Sequence, residues 1–202
     1  TGFLGSCKTT LIRHLMTHSK GRRLAVLVNE FGTVGVDGDI LKSCADEDCP
    51  AENIVELANG CICCTVEEEF LPVMEQLVKR RDEIDHILIE TSGLALPKPL
   101  VQAFNWPGIK EYCTVDSVIT VIDGPAVAAG RFAHDTERVQ AQRLADDSLD
   151  HDPSLQELLD DQLSAADLVI VSKNDLLEAP QRQHVAEIVN HKVPSQVKTT
   201  YV

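Results

Sequence analysis

The chain begins with Thr1-Gly2-Phe3-Leu4-Gly5-Ser6-Cys7-Lys8-Thr9-Thr10. This stretch lies close to the phosphate-loop pattern G-x-x-x-x-G-K-[ST], in which glycines let backbone N–H groups wrap phosphates at the start of a helix. Lys8 would reach the outer phosphates and assist catalysis, and the Thr9 hydroxyl would hold Mg²⁺. The residues that we predict to contact the nucleotide here are Gly2, Gly5, Ser6, Cys7, Lys8, Thr9 and Thr10.

Cys7 stands where the pattern expects its second glycine. If the backbone there suits only glycine, a side chain strains the loop by about 1 to 3 kcal/mol or crowds the phosphate. If the backbone is nearly helical at that point, a small thiol fits with a modest loss. We prefer the first interpretation, which predicts weakened nucleotide binding.

The charge balance argues against nucleic-acid and membrane partners. Lys and Arg number 18 against 32 Asp and Glu, and the formal net charge is -14, which repels phosphate backbones and anionic lipid surfaces. No apolar stretch approaches the ~20 residues that a membrane span needs. The seven cysteines are an odd number, and three of them crowd into four positions, which is typical of reduced thiols. We therefore expect a soluble, cytoplasmic protein.

Short apolar runs alternate with longer amphipathic segments along the chain. The predicted strands are residues 24–28, 86–90, 117–122 and 168–172. The predicted helices are residues 8–18, 66–80, 154–163 and 181–190. This alternation predicts an α/β fold, doubly wound, with a mostly parallel sheet of the P-loop NTPase type. Its length suits one domain, residues 1–202.

Three crowded cysteines, Cys61, Cys63 and Cys64, precede the second predicted helix. Thiolates suit Zn²⁺, Cu⁺ and related ions, and three donors leave a tetrahedral site open, which favours transfer over permanent closure. The competing interpretation is that they are small residues packed at the start of a helix. Their crowding favours a transition-metal site or redox chemistry. Cys44 and Cys49, which flank an acidic stretch, are a weaker candidate for a second site.

The predicted strand 86–90 ends in Glu90, and Gly93 follows three residues later. Ligands of open α/β sheets bind at the carboxyl ends of the strands. We therefore predict that Glu90 orients water or acts on the Mg²⁺ shell in catalysis. Gly93 would donate its N–H to the γ-phosphate. An ordinary turn after a strand is the competing interpretation.

The predicted strand 168–172 leads into Lys173-Asn174-Asp175, a near match to the N-K-x-D pattern by which GTPases recognise guanine. Asp175 would accept hydrogen bonds from two donor groups of guanine, and adenine does not present that pair. Lys173 would lie along the base. Ser172 stands where Asn is expected, so base affinity would be reduced. The segment favours GTP over ATP.

The ordered set of motifs resembles the CobW family of metal-linked GTPases, and within it the branch of aerobic cobalamin biosynthesis. The segments that carry the resemblance are Gly2-Phe3-Leu4-Gly5, Asn29-Glu30-Phe31-Gly32, Gly60-Cys61-Ile62-Cys63-Cys64, Glu90-Thr91-Ser92-Gly93-Leu94-Ala95 and Lys173-Asn174-Asp175. The resemblance implies a doubly wound GTPase core in which Glu30 belongs to a catalytic switch region and the cysteine run binds the cargo ion. It also implies that this chain is truncated at both ends and lacks the first strand of the sheet and a C-terminal domain.

Motifs and resemblance together predict a metallochaperone core that binds and hydrolyses GTP with Mg²⁺. Its cargo would be Co²⁺, with Zn²⁺ as the alternative, delivered to a target enzyme that in this branch would be a cobaltochelatase. A second hypothesis is a metal-binding or zinc-chaperone protein whose nucleotide site is weakened by Cys7 and Ser172. A third is a P-loop kinase or other phosphotransferase, for which no acceptor-substrate motif is visible.

Overall fold

The computed structural model describes residues 1–29, 39, 41–57, 70–133, 137, 139 and 154–202. These residues form two compact units, and each contains a three-stranded parallel sheet. Unit 1 consists of Thr1–Cys7, Gly93–Lys98 and Asp116–Val202, and unit 2 consists of Lys8–Ser92 and Pro99–Val115. The predicted α/β class with parallel strands is confirmed.

Unit 2 contains the strands β1 (Leu24–Asn29), β2 (Ile54–Leu57) and β3 (His86–Glu90), in the order β2-β1-β3. β1 is the central strand, and all six of its residues are buried, as expected for a parallel strand covered on both faces. The register pairs Val28 of β1 with Glu90 of β3. The carboxyl ends of these two predicted strands therefore lie side by side.

The helices α1 (Lys8–Thr17) and α2 (Leu71–Lys79) are described within unit 2. Ile12 and Met16, four residues apart on α1, pack against the β1 face that carries Val26, as a helical apolar stripe requires. α1 matches the predicted helix 8–18. The helix predicted over 66–80 is described as α2, and its predicted start falls outside the described residues.

Unit 1 contains the strands β4 (Ile119–Asp123), β5 (Leu168–Ser172) and β6 (Lys198–Tyr201), in the order β4-β5-β6. Thr1 also pairs with β4, because its amino group donates to Ile119 O at 2.8 Å and its carbonyl accepts from Val121 N at 2.9 Å. These two bonds flank Thr120 in the manner of a parallel ladder.

Four further helices are described. α3 (Pro97–Ala103) follows β3, and unit 1 contains the short α4 (Gly124–Ala128) and the longer α5 and α6. Their bounds are Leu155–Ser164 for α5 and Ala179–Lys192 for α6. α5 begins after a capping box, because the Ser154 hydroxyl accepts from Glu157 N while the Glu157 carboxylate accepts from Ser154 N. None of the helices in the described ranges is long and apolar enough to cross a membrane.

Candidate functional site

The predicted phosphate loop is a tight turn that precedes α1. Ser6 N donates to Phe3 O at 3.2 Å, and Gly2, Gly5 and Cys7 have φ values of 134°, 79° and 73°. Left-handed residues in a tight loop are the conformation in which successive N–H groups form an anion-binding nest. Ser6 is fully buried, and its Oγ has no hydrogen-bond partner among the described residues. Both features fit a loop that takes up a polar ligand.

Cys7 occupies a left-handed backbone conformation, which is unfavourable for residues with a side chain. Asn and Asp tolerate it better than the others. The Cys7 φ of 73° lies in the left-handed region, where an L-residue with a Cβ costs roughly 1 to 2 kcal/mol. Among the described residues, its Sγ makes only a long contact of 3.9 Å to Gly5 O, which does little to offset that cost. The interpretation that the backbone is nearly helical at Cys7 is therefore wrong, and the strain interpretation is supported.

Gly93 lies against the backbone of the loop. A Cβ built at Gly93 would lie 2.8 Å from Leu4 N, which is closer than such atoms approach. Its carbonyl accepts from Gln162 Nε2 at 3.0 Å, and the same amide reaches Ala95 O at 3.2 Å. Gln162 is fully buried on α5. The segment after β3 is thus fixed beside the loop by a buried amide that sequence reasoning did not single out.

Thr9 and Glu90, both in unit 2, come into direct contact. Thr9 Oγ1, in the first turn of α1, donates to Glu90 Oε1 at 2.9 Å, and Glu90 at the end of β3 is only 6% exposed. Hydroxyl and carboxylate oxygens are the donors that Mg²⁺ takes in nucleotide sites. The pair therefore fits the ion that both residues are predicted to serve. Lys8 begins the same helix, and Thr10, one residue beyond Thr9, is exposed.

Lys173 follows β5 in a left-handed conformation with φ of 57°. Its Nζ lies 2.5 Å from Asp123 Oδ2, and the Asp123 side chain is only 1% exposed. The second oxygen of Asp123 accepts from Ala126 N at 3.0 Å and caps α4. Asp123 therefore fixes the lysine of the base-recognition motif. Sequence reasoning missed it, although it ends a buried strand just as Glu90 does.

Ser172 and Asp175 lie on either side of Lys173. Ser172 is buried, and its Oγ donates to Ile122 O at 3.0 Å, so the hydroxyl that replaces the expected amide is satisfied within the sheet. Asp175 lies in the 3₁₀ turn Asn174–Leu176 and is exposed, as a carboxylate that recognises a ligand must be. The Lys173–Asp175 motif is thus accessible at its charged end.

Four predicted functional residues lie outside the described residues. They are Glu30, Cys61, Cys63 and Cys64. The switch role of Glu30 and the metal-binding role of the cysteine run therefore stay predictions.

Cys44 and Cys49, the weaker candidate for a metal site, pack into the core of unit 2. Cys49 is fully buried in the apolar cluster around Met16, and Cys44 packs against that cluster. Burial, with a contribution from Asp46, raises the pKa of the Cys49 thiol to about 11 and so opposes the thiolate that a metal requires. Within the described ranges, no three His, Cys, Asp or Glu side chains come together as a metal-binding group. Packing accounts for both cysteines.

Comparison with known proteins gives a consistent result. A family model described as "CobW/HypB/UreG, nucleotide-binding domain" matches residues 1–200. Of the relatives named zinc chaperone CobW, one from Pseudomonas aeruginosa is 57% identical over 201 residues, which are 98% of this chain and 54% of that protein. Another, from Sinorhizobium, is 53% identical over 192 residues, which are 95% of this chain and 54% of that protein. The chain thus spans about half the length of the curated relatives it matches.

A solved structure supports the fold. The Zn(II)-bound YjiA GTPase from E. coli matches with a TM-score of 0.55 at 21% identity, over 100% of this chain and 54% of that one. At this identity the likeness concerns the arrangement of strands and helices. It agrees with the α/β fold of P-loop NTPase type that the sequence predicts.

Proposed function

Because the chain belongs to the CobW/HypB/UreG family of nucleotide-binding domains, we propose that it is the GTP-binding and GTP-hydrolysing core of a metallochaperone. The family membership confirms the resemblance to CobW proteins. The chain covers 54% of its two CobW relatives, so the activity, cargo and target of the whole protein are part of the proposal. We treat residues 1–202 as one such domain.

The observation that carries the proposal is the hydrogen bond of 2.9 Å between Thr9 Oγ1 and Glu90 Oε1. It joins the hydroxyl that follows the loop lysine to the buried carboxylate that ends β3. When bound, Mg²⁺ would neutralise phosphate charge, and Thr9 and Glu90 would hold it. Glu90 would also orient the attacking water, since a buried carboxylate at a strand end is fixed in direction.

Phosphate contacts are assigned to the loop and the start of α1. Lys8 would bind the outer phosphates, and Gly93 would donate its N–H to the γ-phosphate. The supporting observations are the left-handed loop residues and the close approach of Gly93 to Leu4 N. The remaining contacts would come from the backbone amides of Gly2, Gly5, Ser6, Cys7 and Thr10.

Guanine selection is assigned to Asp175 and Lys173. Asp175 is exposed and would accept from two donors of the base. The Lys173 ammonium is held by Asp123, so its aliphatic stem is pre-positioned to lie along a planar ring. Asp175→Asn should therefore erase a preference for GTP over ATP, measured by competition for bound fluorescent GTP.

The cargo is a divalent transition ion bound by Cys61, Cys63 and Cys64. The names of two relatives favour Zn²⁺. Resemblance to the cobalamin branch favours Co²⁺, with a cobaltochelatase as the receiving enzyme. Glu30 would link the two sites, because a switch residue that responds to the γ-phosphate can reposition metal ligands.

A pair of metal titrations tests the proposal. Zn²⁺ and Co²⁺ are titrated into the chain with GTP–Mg²⁺ and with GDP–Mg²⁺, and we expect affinities that differ by about tenfold or more, within the usual range of coupling. Lys8→Ala should remove this difference and leave nucleotide-free metal affinity unchanged. Cys63→Ser should lower metal affinity and leave GTP binding intact. Equal metal affinity in both nucleotide states would contradict the proposed coupling between nucleotide and metal binding.

The strained Cys7 favours a second candidate function, a metal-binding protein with a weakened nucleotide site. A φ of 73° at a residue with a side chain raises the free energy of the loop that must bind phosphate. Metal binding without measurable GTP binding would support this candidate. If Cys7→Gly restores GTP binding, the nucleotide site is intact except for the strain at Cys7.

A further inference from the structure

Two exposed histidines lie together at the carboxyl end of α1. His14 is on the last turns of the helix, and His18, four residues later, is in the turn that follows the end of the helix at Thr17, so the two side chains lie on the same side. Their ring centroids are 4.1 Å apart, and the ring planes are inclined by 29°. The four-residue separation is that of the two ligands in H-x-x-x-H zinc sites, and the stacked rings must turn for their nitrogen lone pairs to converge on one ion.

The hydrogen bonds around His18 fix which of its nitrogens is free to bind an ion. His18 Nδ1 lies 2.9 Å from His14 O, and a carbonyl oxygen can only accept, so Nδ1 carries the proton. The lone pair of neutral His18 is therefore on Nε2. Imidazoles that bind metals commonly donate their other N–H to a backbone carbonyl in this manner.

Thr17 reinforces this arrangement. Its Oγ1 can donate a hydrogen bond to Arg13 O or to His14 O, each 3.1 Å away. The same oxygen lies 3.0 Å from His18 Nδ1. The single Nδ1 proton is then shared between His14 O and the Thr17 hydroxyl, which itself donates to a carbonyl. The His14 ring nitrogens form no hydrogen bond among the described residues, so this ring is available to turn toward an ion.

We propose that His14 and His18 form a bidentate site for one borderline divalent transition ion, of the class of Zn²⁺ and Ni²⁺. Imidazole suits these ions, whereas Mg²⁺ and Ca²⁺ prefer oxygen. With two protein ligands, water fills the remaining positions, so the site is open and exchanges its ion quickly. The site depends neither on the nucleotide nor on the cysteine run.

Imidazole NMR during a Ni²⁺ titration tests the site directly. The paramagnetic ion should broaden the ¹H–¹⁵N signals of His14 and His18 before those of His184 and His191, which lie on α6. These α6 histidines serve as internal controls because they are seven residues apart and cannot chelate one ion. Broadening of all histidine signals at the same Ni²⁺ concentration would overturn the proposal.

Affinity measurements separate chelation from binding at single imidazoles. Zn²⁺ is titrated into a variant with Cys61→Ser, Cys63→Ser and Cys64→Ser, so that the cysteine run cannot bind the ion. His14→Gln and His18→Gln should each lower Zn²⁺ affinity by about tenfold, and the double variant should lose little more, because each ligand needs the other. His184→Gln should leave the affinity unchanged. Losses below about twofold for both single variants, with the NMR signals unperturbed, would contradict the proposal.

Discussion

Cys7 in the loop and Ser172 at the end of β5 each replace the residue that a nucleotide-binding motif expects, but their surroundings differ. Cys7 has a φ of 73°, and the contact of its sulfur with Gly5 O is long, at 3.9 Å. Ser172 lies in a regular strand, is buried, and donates its hydroxyl proton to Ile122 O at 3.0 Å. A departure from a motif is costly where the motif residue supplies backbone conformation. It costs little fold stability where the polar group of the substitute is satisfied within the sheet, as the Ser172 hydroxyl is.

The two segments also differ in what holds them. The loop is shaped by backbone conformation and by the close approach of Gly93 to Leu4 N. The base-recognition segment is held by a side-chain network in which Asp123 binds Lys173 and caps α4. We therefore expect backbone substitutions to affect the loop and charge substitutions to affect the base-recognition segment.

The largest effect is expected for Asp123→Ala. This change removes one partner of a buried ion pair and a helix cap together, and we expect a loss of about 3 kcal/mol of unfolding free energy. Part of the Lys173 side chain, 27%, is exposed, which keeps the loss at the low end for buried pairs. Urea denaturation followed by circular dichroism measures it.

Asp123→Asn is the matched control, because its amide oxygen can still cap α4 while the charge is lost. It should lose less than Asp123→Ala, and GTP affinity should fall in both variants as Lys173 loses its position. If Asp123→Ala is as stable as the parent chain, the ion pair does not hold the segment.

Gly93→Ala should give the next largest effect, and its cause is purely steric. The new Cβ would lie 2.8 Å from Leu4 N, so the loop backbone must move. We expect a loss of about 1 to 3 kcal/mol in stability, as for other overpacked sites, and a loss of GTP affinity of about tenfold or more. Thermal unfolding and fluorescent-GTP titration measure the two quantities.

Gly5→Ala is the counterpart of Gly93→Ala, because its cost is purely conformational. Gly5 has φ of 79°, and a Cβ there meets no atom within 4 Å. The expected loss of stability is about 1 kcal/mol. A Gly93→Ala variant as stable as the parent chain would mean that the loop backbone accepts the new Cβ without cost.

Cys7→Gly should act in the opposite direction. It relieves a left-handed side-chain conformation, so we expect the loop in its binding conformation to gain about 1 kcal/mol and GTP affinity to rise by about five- to tenfold. Cys7→Ala removes the thiol but keeps the Cβ, and it should give no gain. An equal rise for Ala and Gly would show that the sulfur, and not the backbone, limits binding.

Much of this architecture could be predicted from the sequence, because local apolar patterns dictate it. β3 and β5 have the predicted bounds, and the start of α1 at Lys8 follows from the loop motif. Motif reasoning also selected Thr9 and Glu90, which are 81 residues apart in sequence and hydrogen-bonded in the structure. Thr9 follows from the phosphate-loop motif and Glu90 from its place at the carboxyl end of a strand, and the fold brings the two together.

Other features could not be predicted, because they depend on tertiary contacts. β2 is a four-residue strand whose apolar residues are interrupted by Glu56, so its pattern is too short to predict a strand, and its pairing with β1 defines it. The ion pair of Asp123 with Lys173 joins residues 50 positions apart, and neither strand pattern encodes it. The left-handed φ of Cys7 could not be predicted either. The motif specifies a glycine at this position but does not say which backbone conformation a different residue adopts there.

The smallest effect is expected for Ser172→Ala, and it completes the contrast with Cys7. The variant loses one neutral hydrogen bond from Oγ to Ile122 O, for which we expect a cost of about 1 kcal/mol or less. GTP affinity should stay within about twofold, because we propose that Asp175 recognises the base and because the Ser172 hydroxyl is already engaged with Ile122 O. The changes in GTP affinity on Ser172→Ala and on Cys7→Gly are then compared. Their ratio shows how much more backbone conformation contributes to GTP affinity than the Ser172 hydrogen bond does. If Ser172→Ala weakens GTP binding as strongly as Cys7→Gly improves it, the serine hydroxyl itself takes part in recognition, because its hydrogen bond within the sheet cannot produce so large a change.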